Sequence, residues 1–389
     1  MKLLILTVSQ YRGGAEEYTL KITRGAIAKG HTVEFAFPDT DGTQSLQHDL
    51  RELGVNYVPL DIGDDDTTWR EYRKIIPLWR TFQQTRRMLK QTRPDAVLIA
   101  QPSLRCSLGP ILACASLNIP ALVVFQLVSS IFPLKSIEVL LYNWARKRRQ
   151  SWIAISKNNR ELAAKSFQCN PDVFHVVFNG VPVPSPLSTD EKQTIRDRIR
   201  AELNISDDTP LLLTVGRLHV QKGLTYLAEG LPNILKQHSN IQCVWAGDGP
   251  ELDALQTQLR ENGSLDAVQF LGHRTDITDL LHAADLFVFP TLWEGGQSFA
   301  LAEAMAVSLP VVTTDASGIP EVITHKVHGL ISPKKEADTF AHDVLYALDH
   351  PDKMKDMAQA AYERVQEFSE PKMVEQTLNI LDDLLDKKS

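Results

Sequence analysis

The sequence predicts an α/β protein built on parallel sheets. Short apolar runs alternate with amphipathic helical patterns along almost all of the 389 residues, and this alternation is typical of βαβ units. The apolar runs are nearly continuous, which indicates strands covered by helices on both faces of the sheet. A single core stops growing at about 250–300 residues, so a chain of this length is expected to form two domains.

The first half carries seven apolar runs of strand length, with helical patterns between them. The predicted strands are 3–8, 32–37, 57–60, 96–100, 121–126, 152–155 and 174–177. Among the helical patterns, 16–29 and 69–90 are the clearest.

A change of composition at residues 179–188 predicts the boundary between the domains. Pro182, Pro184 and Pro186 occupy alternate positions, which disfavours both a helix and a central strand and indicates an extended connector. Ser188 and Glu191 then form a capping-box pattern at the start of a helix. We therefore expect a first domain of residues 1–182 and a second domain that begins at residue 183.

The second half repeats the alternation. Its predicted strands are 211–215, 242–246, 268–271, 286–289, 311–313 and 329–331. The tail 337–385 is predicted to be helical and divided by Pro351 and Pro371. Two similar halves joined by a proline-rich segment predict a cleft between them, at the carboxyl ends of both sheets, where such folds bind ligands.

Composition excludes several classes of function. The net charge of −7 argues against a nucleic-acid binder, which needs a basic footprint. The sequence has no stretch of ~18 uncharged apolar residues, so it predicts no membrane span. The apolar start 1–8 is too short for a signal peptide. The four cysteines lie far apart without a CxxC pair. We therefore expect a cytoplasmic protein.

The most informative stretch is 293–306, which places Glu294 and Glu303 on either side of a glycine-rich turn that opens a helix. Carboxylates accept paired hydrogen bonds from the vicinal hydroxyls of sugars, and a helix N-terminus attracts anions. The alternative is an ordinary strand-to-helix turn with two solvated glutamates.

A second motif, 216–223, follows the predicted strand 211–215 and carries two cations, Arg217 and Lys222. The planar guanidinium of Arg217 and the point charge of Lys222 together suit a diphosphate whose negative charge grows as one of its bonds breaks. The alternative is a solvated loop.

Three weaker motifs also follow predicted strands. Gly13 and Gly14 would let a ligand approach the backbone, and turn geometry alone is the alternative. The pair does not match GxGxxG, which argues against a nicotinamide site. Asp248 with Pro250 is interpreted as the N-cap and first turn of a helix. For the loop 272–274 a tight turn is favoured over a contact with a base or ribose.

Two charged clusters have structural interpretations that we favour over functional ones. Residues 64–66 are three aspartates, predicted to cap a helix rather than to bind a metal. The cations 146–149 end the helical pattern 137–149, where they favour its C-terminal dipole. A role of this helix at a membrane surface is the alternative. No zinc-hydrolase or serine-hydrolase motif occurs.

Taken together and in this order, the motifs 216–223, 247–250 and Glu294…Glu303 resemble the GT-B retaining glycosyltransferases of family 4, also called glycosyl transferases group 1. The segments 13–16 and 179–181 fit the same family. The resemblance covers nearly the whole chain and is strongest over 211–333.

The resemblance implies an α/β fold of two Rossmann-like domains that face each other across a cleft. It implies that the second domain, 183–369, binds most of a nucleotide sugar, and that the last helix, 370–389, crosses back to the first domain. The implied activity is transfer of a hexose with retention, from a nucleoside diphosphate sugar to an acceptor hydroxyl. A UDP-linked donor is favoured, and no cofactor or obligatory metal is expected.

The resemblance also assigns roles to residues. Arg217 and Lys222 are the expected catalytic residues, which hold the donor diphosphate and stabilise the leaving nucleotide. Glu303 is expected to accept hydrogen bonds from the ribose. The remaining donor-binding residues are expected to be Gly13, Gly14, Gly216, Glu294, Gly295, Gly296, Gln297, Ser298 and Phe299.

Two features depart from the family pattern. Eight residues separate Glu294 from Glu303 where the family usually has seven. If Glu303 binds the ribose, the family's first glutamate position falls on Gly295, or Glu294 reaches it through a local bulge. The family's histidine after the strand matching 121–126 is absent, which leaves Gln126 and Ser129 as acceptor-side candidates. Neither side chain is a general base. This suits a front-face mechanism in which the leaving phosphate oxygen accepts the acceptor's proton, and an unusual acceptor is the alternative explanation.

Other interpretations stay open at this point. A sugar-nucleotide epimerase or hydrolase would use the same fold, and a binding protein without catalysis would keep the donor site. The acceptor is a lipid-linked or polysaccharide intermediate or a small metabolite, and a peripheral contact with the inner face of a membrane is left open.

Overall fold

The computed structural model describes residues 1–60, 75–104, 106–296 and 298–386. The chain folds as two compact units. The first comprises Met1–Gly180 with the C-terminal segment from Glu370, and the second comprises Val181–Ser369. The boundary expected after residue 182 lies two residues from this division.

The first unit contains a seven-stranded parallel sheet in the order β3-β2-β1-β4-β5-β6-β7. Its strands are β1 Lys2–Thr7, β2 Thr32–Phe37, β3 Asn56–Pro59, β4 Ala96–Gln101, β5 Ala121–Phe125, β6 Gln150–Ala154 and β7 Phe174–Val176. The central strands are apolar on both faces and fully buried, as in Leu3 and Leu4. All seven predicted strands are confirmed to within two residues.

Helices connect these strands and cover the sheet. They are α1 Gly14–Ala28, α2 Gln44–Glu52, α3 Ile75–Thr92, α4 Leu108–Leu117, α5 Ser136–Arg146 and α6 Lys157–Phe167, with 3₁₀ turns at Asp41–Thr43 and Pro171–Val173. The predicted helix 69–90 corresponds to α3. The aspartates 64–66, considered as a cap or metal pair, lie outside the described residues.

The second unit has a six-stranded parallel sheet in the order β10-β9-β8-β11-β12-β13. This is the doubly wound order in which strand order reverses beside the first strand. The strands are β8 Leu211–Val215, β9 Gln242–Ala246, β10 Val268–Gly272, β11 Leu286–Phe289, β12 Val311–Thr314 and β13 Leu330–Ser332. All six agree with the prediction to within one residue at each end.

The helices of the second unit are α7 Thr189–Glu202, α8 Leu224–Gln237, α9 Leu252–Glu261, α10 Ile277–Ala283, α11 Phe299–Ala306, α12 Ile319–Val322, α13 Ala337–Asp349 and α14 Pro351–Val365. Short 3₁₀ turns lie at Val220–Lys222, Leu265–Ala267 and Gln366–Phe368. The predicted capping box at α7 is confirmed, because the Ser188 N–H donates to Glu191 Oε2 at 2.9 Å.

The last helix, α15 Glu370–Asp386, packs in the first unit against α1. Tyr18 Oη and Thr377 Oγ1 are 2.9 Å apart, and Lys21 Nζ lies 2.9 Å from Glu370 Oε2. Gly25 permits the close approach, since a Cβ there would collide with Val374. The unit that begins the chain is therefore completed by its last helix.

Two boundaries predicted from the sequence are wrong. Helix α5 ends at Arg146 rather than Arg149, because the chain turns at 147–149 and Arg149 adopts a left-handed conformation, with φ of 48°. Asp248 is not an N-cap, because α9 begins only at Leu252 and Glu251 precedes it as the cap. In the described part of the chain no helix combines the length and apolarity that crossing a bilayer requires.

Candidate functional site

The loops that follow β8 and β9 lie in direct backbone contact in the second unit. The Leu218 N–H donates to the Asp248 carbonyl at 2.8 Å, and the Gly216 N–H donates to the Ala246 carbonyl at 3.0 Å. Gly247 has φ of 146°, and a Cβ there would collide with the Gly216 carbonyl. A Cβ on Gly249 would likewise collide with the Leu218 carbonyl, so Gly247 and Gly249 serve close packing of the two loops.

The rest of the 216–223 loop forms a 3₁₀ turn, Val220–Lys222, that packs on the end of β11. His219 caps this turn and Gly223 ends it with φ of 64°. A Cβ on Gly223 would collide with the Pro290 carbonyl, so only glycine fits there without displacement. The turn is thus fixed against the loop that carries Glu294.

Lys222 and Glu294 form an ion pair at this junction, with 2.6 Å between Lys222 Nζ and Glu294 Oε1. Both side chains are largely buried, with 15% and 10% of their surface exposed. Thr291 donates to the same carboxylate oxygen at 2.8 Å, and Lys222 Nζ also lies 4.9 Å from the centroid of the Phe289 ring. The two loops are thereby joined by a charged hydrogen bond shielded from water.

Gln221 strengthens the same junction. Its side-chain Nε2 donates to the Trp293 carbonyl at 2.9 Å, and the Leu292 N–H donates to the Gln221 carbonyl at 2.8 Å. The sequence analysis did not single out Gln221, because its partners lie about 70 residues away along the chain.

Arg217 presents a cation at the surface of this site. Its side chain is exposed and has no hydrogen-bond or ion-pair partner among the described residues. Burial, with the nearby charges of Arg217 and Lys222, lowers the pKa of His219. The side chains of Arg217 and Lys222 supply the positive charge of the loop.

The glycine-rich turn after β11 leads into α11. Gly295 and Gly296 are buried, and a Cβ on Gly318 would lie 2.6 Å from Gly296 Cα. The turn is thus packed against the loop after β12. Of the predicted donor-binding residues in this turn, Gln297 lies outside the described residues.

Helix α11 begins at Phe299, directly after Ser298, which is buried at the N-cap position and makes no side-chain capping bond. Glu303 lies one turn further along α11 and is half-buried. A helix N-terminus carries partial positive charge, so α11 adds to the charge of Arg217 and Lys222 at the same sheet edge.

The glycine pair of the first unit is held by the carboxylate of Glu16, a residue for which no role was predicted from the sequence. The Gly13 N–H donates to Glu16 Oε2 at 3.0 Å, and the Thr7 hydroxyl donates to Glu16 Oε1 at 3.0 Å. Burial raises the pKa of Glu16 to about 7. Gly14 begins α1. The Gly13 amide is thus already hydrogen-bonded, and Glu16 fixes the conformation of the turn.

The acceptor-side candidates lie at the carboxyl edge of the first sheet. Gln126 is buried, and its backbone N–H donates to the backbone carbonyl of Gln101 at 3.0 Å. Ser129 is exposed. Asn159 Nδ2 lies 3.5 Å from the Gln126 carbonyl. The side-chain amides of Gln101 and Gln126 include buried atoms without a hydrogen-bond partner among the described residues. The sequence analysis missed Gln101 and Asn159, since isolated amides carry no motif.

The other candidates have structural partners. Arg274, considered for a base or ribose contact, forms ion pairs with Asp276 at 2.6 Å and Glu202 at 2.7 Å, and the hydrogen bonds that it donates to these carboxylates raise its pKa. Within the described ranges, no group of three or more histidine, cysteine, aspartate or glutamate side chains is arranged to hold a metal ion.

Two protein families match this chain, each almost wholly within one unit. The family described as Glycosyltransferase Family 4 matches residues 12–183, and the family described as Glycosyl transferases group 1 matches residues 195–364.

Two relatives illustrate the sequence similarity. An uncharacterized glycosyltransferase of Methanocaldococcus jannaschii is 34% identical over 196 residues, which are 49% of this chain and 49% of the relative. The UDP-Gal:alpha-D-GlcNAc-diphosphoundecaprenol alpha-1,3-galactosyltransferase of Escherichia coli is 26% identical over 217 residues, 54% of this chain and 55% of the relative. The chain thus spans about half the length of these relatives.

Among solved structures, the Anabaena protein HepE in complex with UDP-glucose superimposes with a TM-score of 0.79 at 18% identity, over 98% of this chain and 100% of that chain. At this identity the likeness concerns the fold. The predicted fold class, α/β with two parallel-sheet Rossmann-like units, is confirmed.

Proposed function

This chain belongs to the family 4 glycosyltransferases, group 1, and on that premise we propose that it transfers a hexose from a nucleoside diphosphate sugar to an acceptor hydroxyl. The observation that carries the proposal is the Lys222–Glu294 ion pair beside the exposed Arg217. Groups suited to a diphosphate and to a sugar hydroxyl meet there at one edge of the second sheet.

The diphosphate contacts follow from the charges. Arg217 offers a solvent-accessible guanidinium, whose planar fork matches two phosphate oxygens. Lys222 supplies a second cation from a partly buried position, where its interaction with an anion is screened less than in water. Together they stabilise the negative charge that develops on the departing nucleotide.

Carboxylates supply the sugar contacts. Glu294, already oriented by Thr291 and Lys222, accepts hydrogen bonds from the hydroxyls of the transferred hexose. Glu303 on α11 accepts them from the ribose. The donor-binding role of Gly13 and Gly14 rests on the family resemblance alone.

Retention of configuration, a front-face path and independence from metal ions are parts of the same proposal. The two cations and the N-terminus of α11 take the place of a divalent cation at the diphosphate. The leaving phosphate oxygen accepts the proton of the acceptor hydroxyl, since Gln126 and Ser129 are not bases at neutral pH.

The proposed donor is UDP-linked. Support comes from the E. coli relative, named for UDP-Gal, and from the Anabaena structure, which contains UDP-glucose. We place the activity in the cytoplasm, and the four free cysteines are in keeping with a reducing compartment.

Thermal-shift measurements with UDP-, GDP- and ADP-glucose test the proposal. A ligand at ~100 times its dissociation constant adds roughly 2.7 kcal/mol to the stability of the folded state, and we expect this with UDP-glucose. Arg217→Ala should abolish the shift, whereas Arg260→Ala, which removes an exposed arginine on α9, should retain it. Absence of stabilisation by all three sugar nucleotides would contradict the proposal.

Activity assays with the same protein distinguish sugar transfer from hydrolysis of the donor and from donor binding without catalysis. Release of free UDP from UDP-glucose at full rate without any acceptor indicates a hydrolase. Donor binding without turnover over a panel of hydroxyl acceptors indicates a binding protein.

A further inference from the structure

Helix α5 exposes an apolar stripe that has no counterpart elsewhere on the described surface. Ile137, Leu140 and Trp144 are 57%, 64% and 38% exposed. They are spaced by three and four residues, so they lie on one face of the helix. Ile131, in the segment just before α5, is also exposed. These four residues are called the α5 outer face below.

The opposite side of α5 is ordinary core. Val139, Tyr142 and Ala145 are buried, and Tyr142 Oη donates to the Leu104 carbonyl at 3.0 Å. The helix is therefore held firmly to the first unit by one face. The exposure of the other face is a fixed property of the fold.

The stripe is not a random scatter of surface hydrophobics. The described residues include nine large apolar side chains that are exposed, and the α5 outer face supplies four of them from a 14-residue segment. Scattered single residues need no explanation, whereas a clustered patch marks an interaction surface.

Cations flank the stripe at both ends. Lys135 precedes α5, Arg146 is its last residue, and Lys147, Arg148 and Arg149 follow it. Glu138 is the only carboxylate in the sequence 131–149. The Arg148 guanidinium stacks 4.4 Å from the centroid of the Trp144 ring. This contact keeps a positive charge beside the exposed indole.

Such a combination fits the surface of a lipid bilayer. Tryptophan and aliphatic side chains flanked by lysine and arginine are typical of helices that lie at a membrane interface. The whole chain carries a net charge of −7, so an anionic surface repels most of the protein and attracts this segment. Charge thereby selects the orientation in which the apolar stripe meets the lipid.

We propose that the α5 outer face docks this protein on an anionic lipid bilayer. Ile137, Leu140 and Trp144 enter the boundary between headgroups and acyl chains, while Lys147 and Arg148 contact the headgroups. Three or four apolar side chains give weak partitioning on their own, so binding requires the cations as well. The surface belongs to the first unit, and the proposal does not depend on the donor site.

Co-sedimentation of the full-length protein with vesicles tests this. Vesicles of phosphatidylcholine with about 30% phosphatidylglycerol should bind at least ~10-fold more protein than vesicles of phosphatidylcholine alone, and 0.5 M salt should remove most of the difference. Leu140→Glu should reduce binding to the anionic vesicles by ~10-fold. Lys147→Ala with Arg148→Ala should reduce binding to anionic vesicles and leave binding to neutral vesicles unchanged.

Val327→Glu is the matched control, because it places the same charge on an exposed apolar residue of the second unit. It should bind vesicles as the wild type does. All variants should keep the wild-type circular dichroism spectrum and melting temperature in the absence of ligand, which confirms folding independently of the donor site. Equal binding to both kinds of vesicle, or binding unchanged by Leu140→Glu, would overturn the proposal. A dimer in solution that Leu140→Glu disperses would do so as well, since the face would then be occupied by a second copy.

Discussion

Lys222 Nζ lies 2.6 Å from Glu294 Oε1, so the residue expected to hold the donor diphosphate is paired, in this structure, with the residue expected to hold the sugar. The pair joins the loop after β8 to the loop after β11. A donor that recruits Lys222 must compete with this carboxylate, and the energetics of the site follow from that competition.

Replacing Lys222 tests its role in turnover. Lys222→Met keeps most of the side-chain volume and removes the charge, and we expect turnover to fall by ~10²-fold or more, as for loss of a group that stabilises developing charge. Steady-state assays of UDP release measure it. Lys236→Met, on the exposed end of α8, is the control. Turnover within a factor of about three of wild type would remove Lys222 from the catalytic residues.

Glu294→Gln should separate the two halves of the pair. Glutamine still accepts hydrogen bonds from Lys222 and Thr291, but the lysine charge is no longer neutralised. We expect UDP to bind about fivefold tighter, or about 1 kcal/mol, while turnover falls because the sugar loses its carboxylate contact. Calorimetry measures the affinity for UDP, and activity assays measure turnover. Weaker binding of UDP would show that the carboxylate is not a competitor of the diphosphate.

Gly223→Ala should disrupt the turn that carries Lys222. The position has φ of 64° and a Cβ would collide with the Pro290 carbonyl. Gly263 has φ of 75° with no atom within 4 Å of its Cβ position. Gly263→Ala therefore measures backbone strain alone, about 1–2 kcal/mol. In urea denaturation, Gly223→Ala should lose at least about 2 kcal/mol more stability than Gly263→Ala loses. Equal losses of stability in the two variants would contradict the packing argument.

The buried Glu16 predicts a pH dependence of stability. Its pKa is raised by burial from 4.5 to about 7, so between these values the folded state retains a proton that the unfolded chain has lost. Stability must therefore fall as pH rises through this window, by up to about 3 kcal/mol.

Glu16→Gln carries no such proton. Urea denaturation at pH 5 and pH 8 should show it close to wild type at the lower pH and more stable at the higher one. Glu17→Gln, in the same turn but 40% exposed, should follow the wild-type profile. If wild type and Glu16→Gln change in parallel with pH, the assignment is wrong.

The strands were predictable because their signal is local. Runs such as 211–215 and 286–289 are short, apolar and bounded by glycine, proline or polar residues, and burial on both faces requires that composition. The capping box of Ser188 and Glu191 is local in the same way, as it involves two residues one turn apart.

Helix ends were less predictable where tertiary contacts decide them. Asp248 and Pro250 have the composition of a helix start, but this loop is held to the loop after β8 by the bond from the Leu218 N–H to the Asp248 carbonyl. Helix α9 therefore begins at Leu252. Propensity is a weak prior that such contacts override.

In the candidate site, too, local features were predictable from the sequence and tertiary contacts were not. The individual charges of Arg217, Lys222 and Glu294 were visible in the motifs, but the pairing of Lys222 with Glu294 spans 72 residues and depends on the adjacency of β8 and β11 in the sheet. The role of Glu16 was hidden for another reason. A glutamate at the start of a helix is usually a solvated, dipole-favoured charge, and only the fold shows it to be buried.

Helix α15 has a consequence for biosynthesis. Tyr18 and its partner Thr377 are 359 residues apart, so α1 acquires its cover only after the segment that forms α15 has been synthesised. The second unit is one continuous segment, Val181–Ser369. It can therefore fold before the first unit has received its last helix, α15. A nascent chain arrested before Glu370 would leave the face of α1 around Gly25 exposed to solvent, because Val374 of α15 covers it in the complete fold.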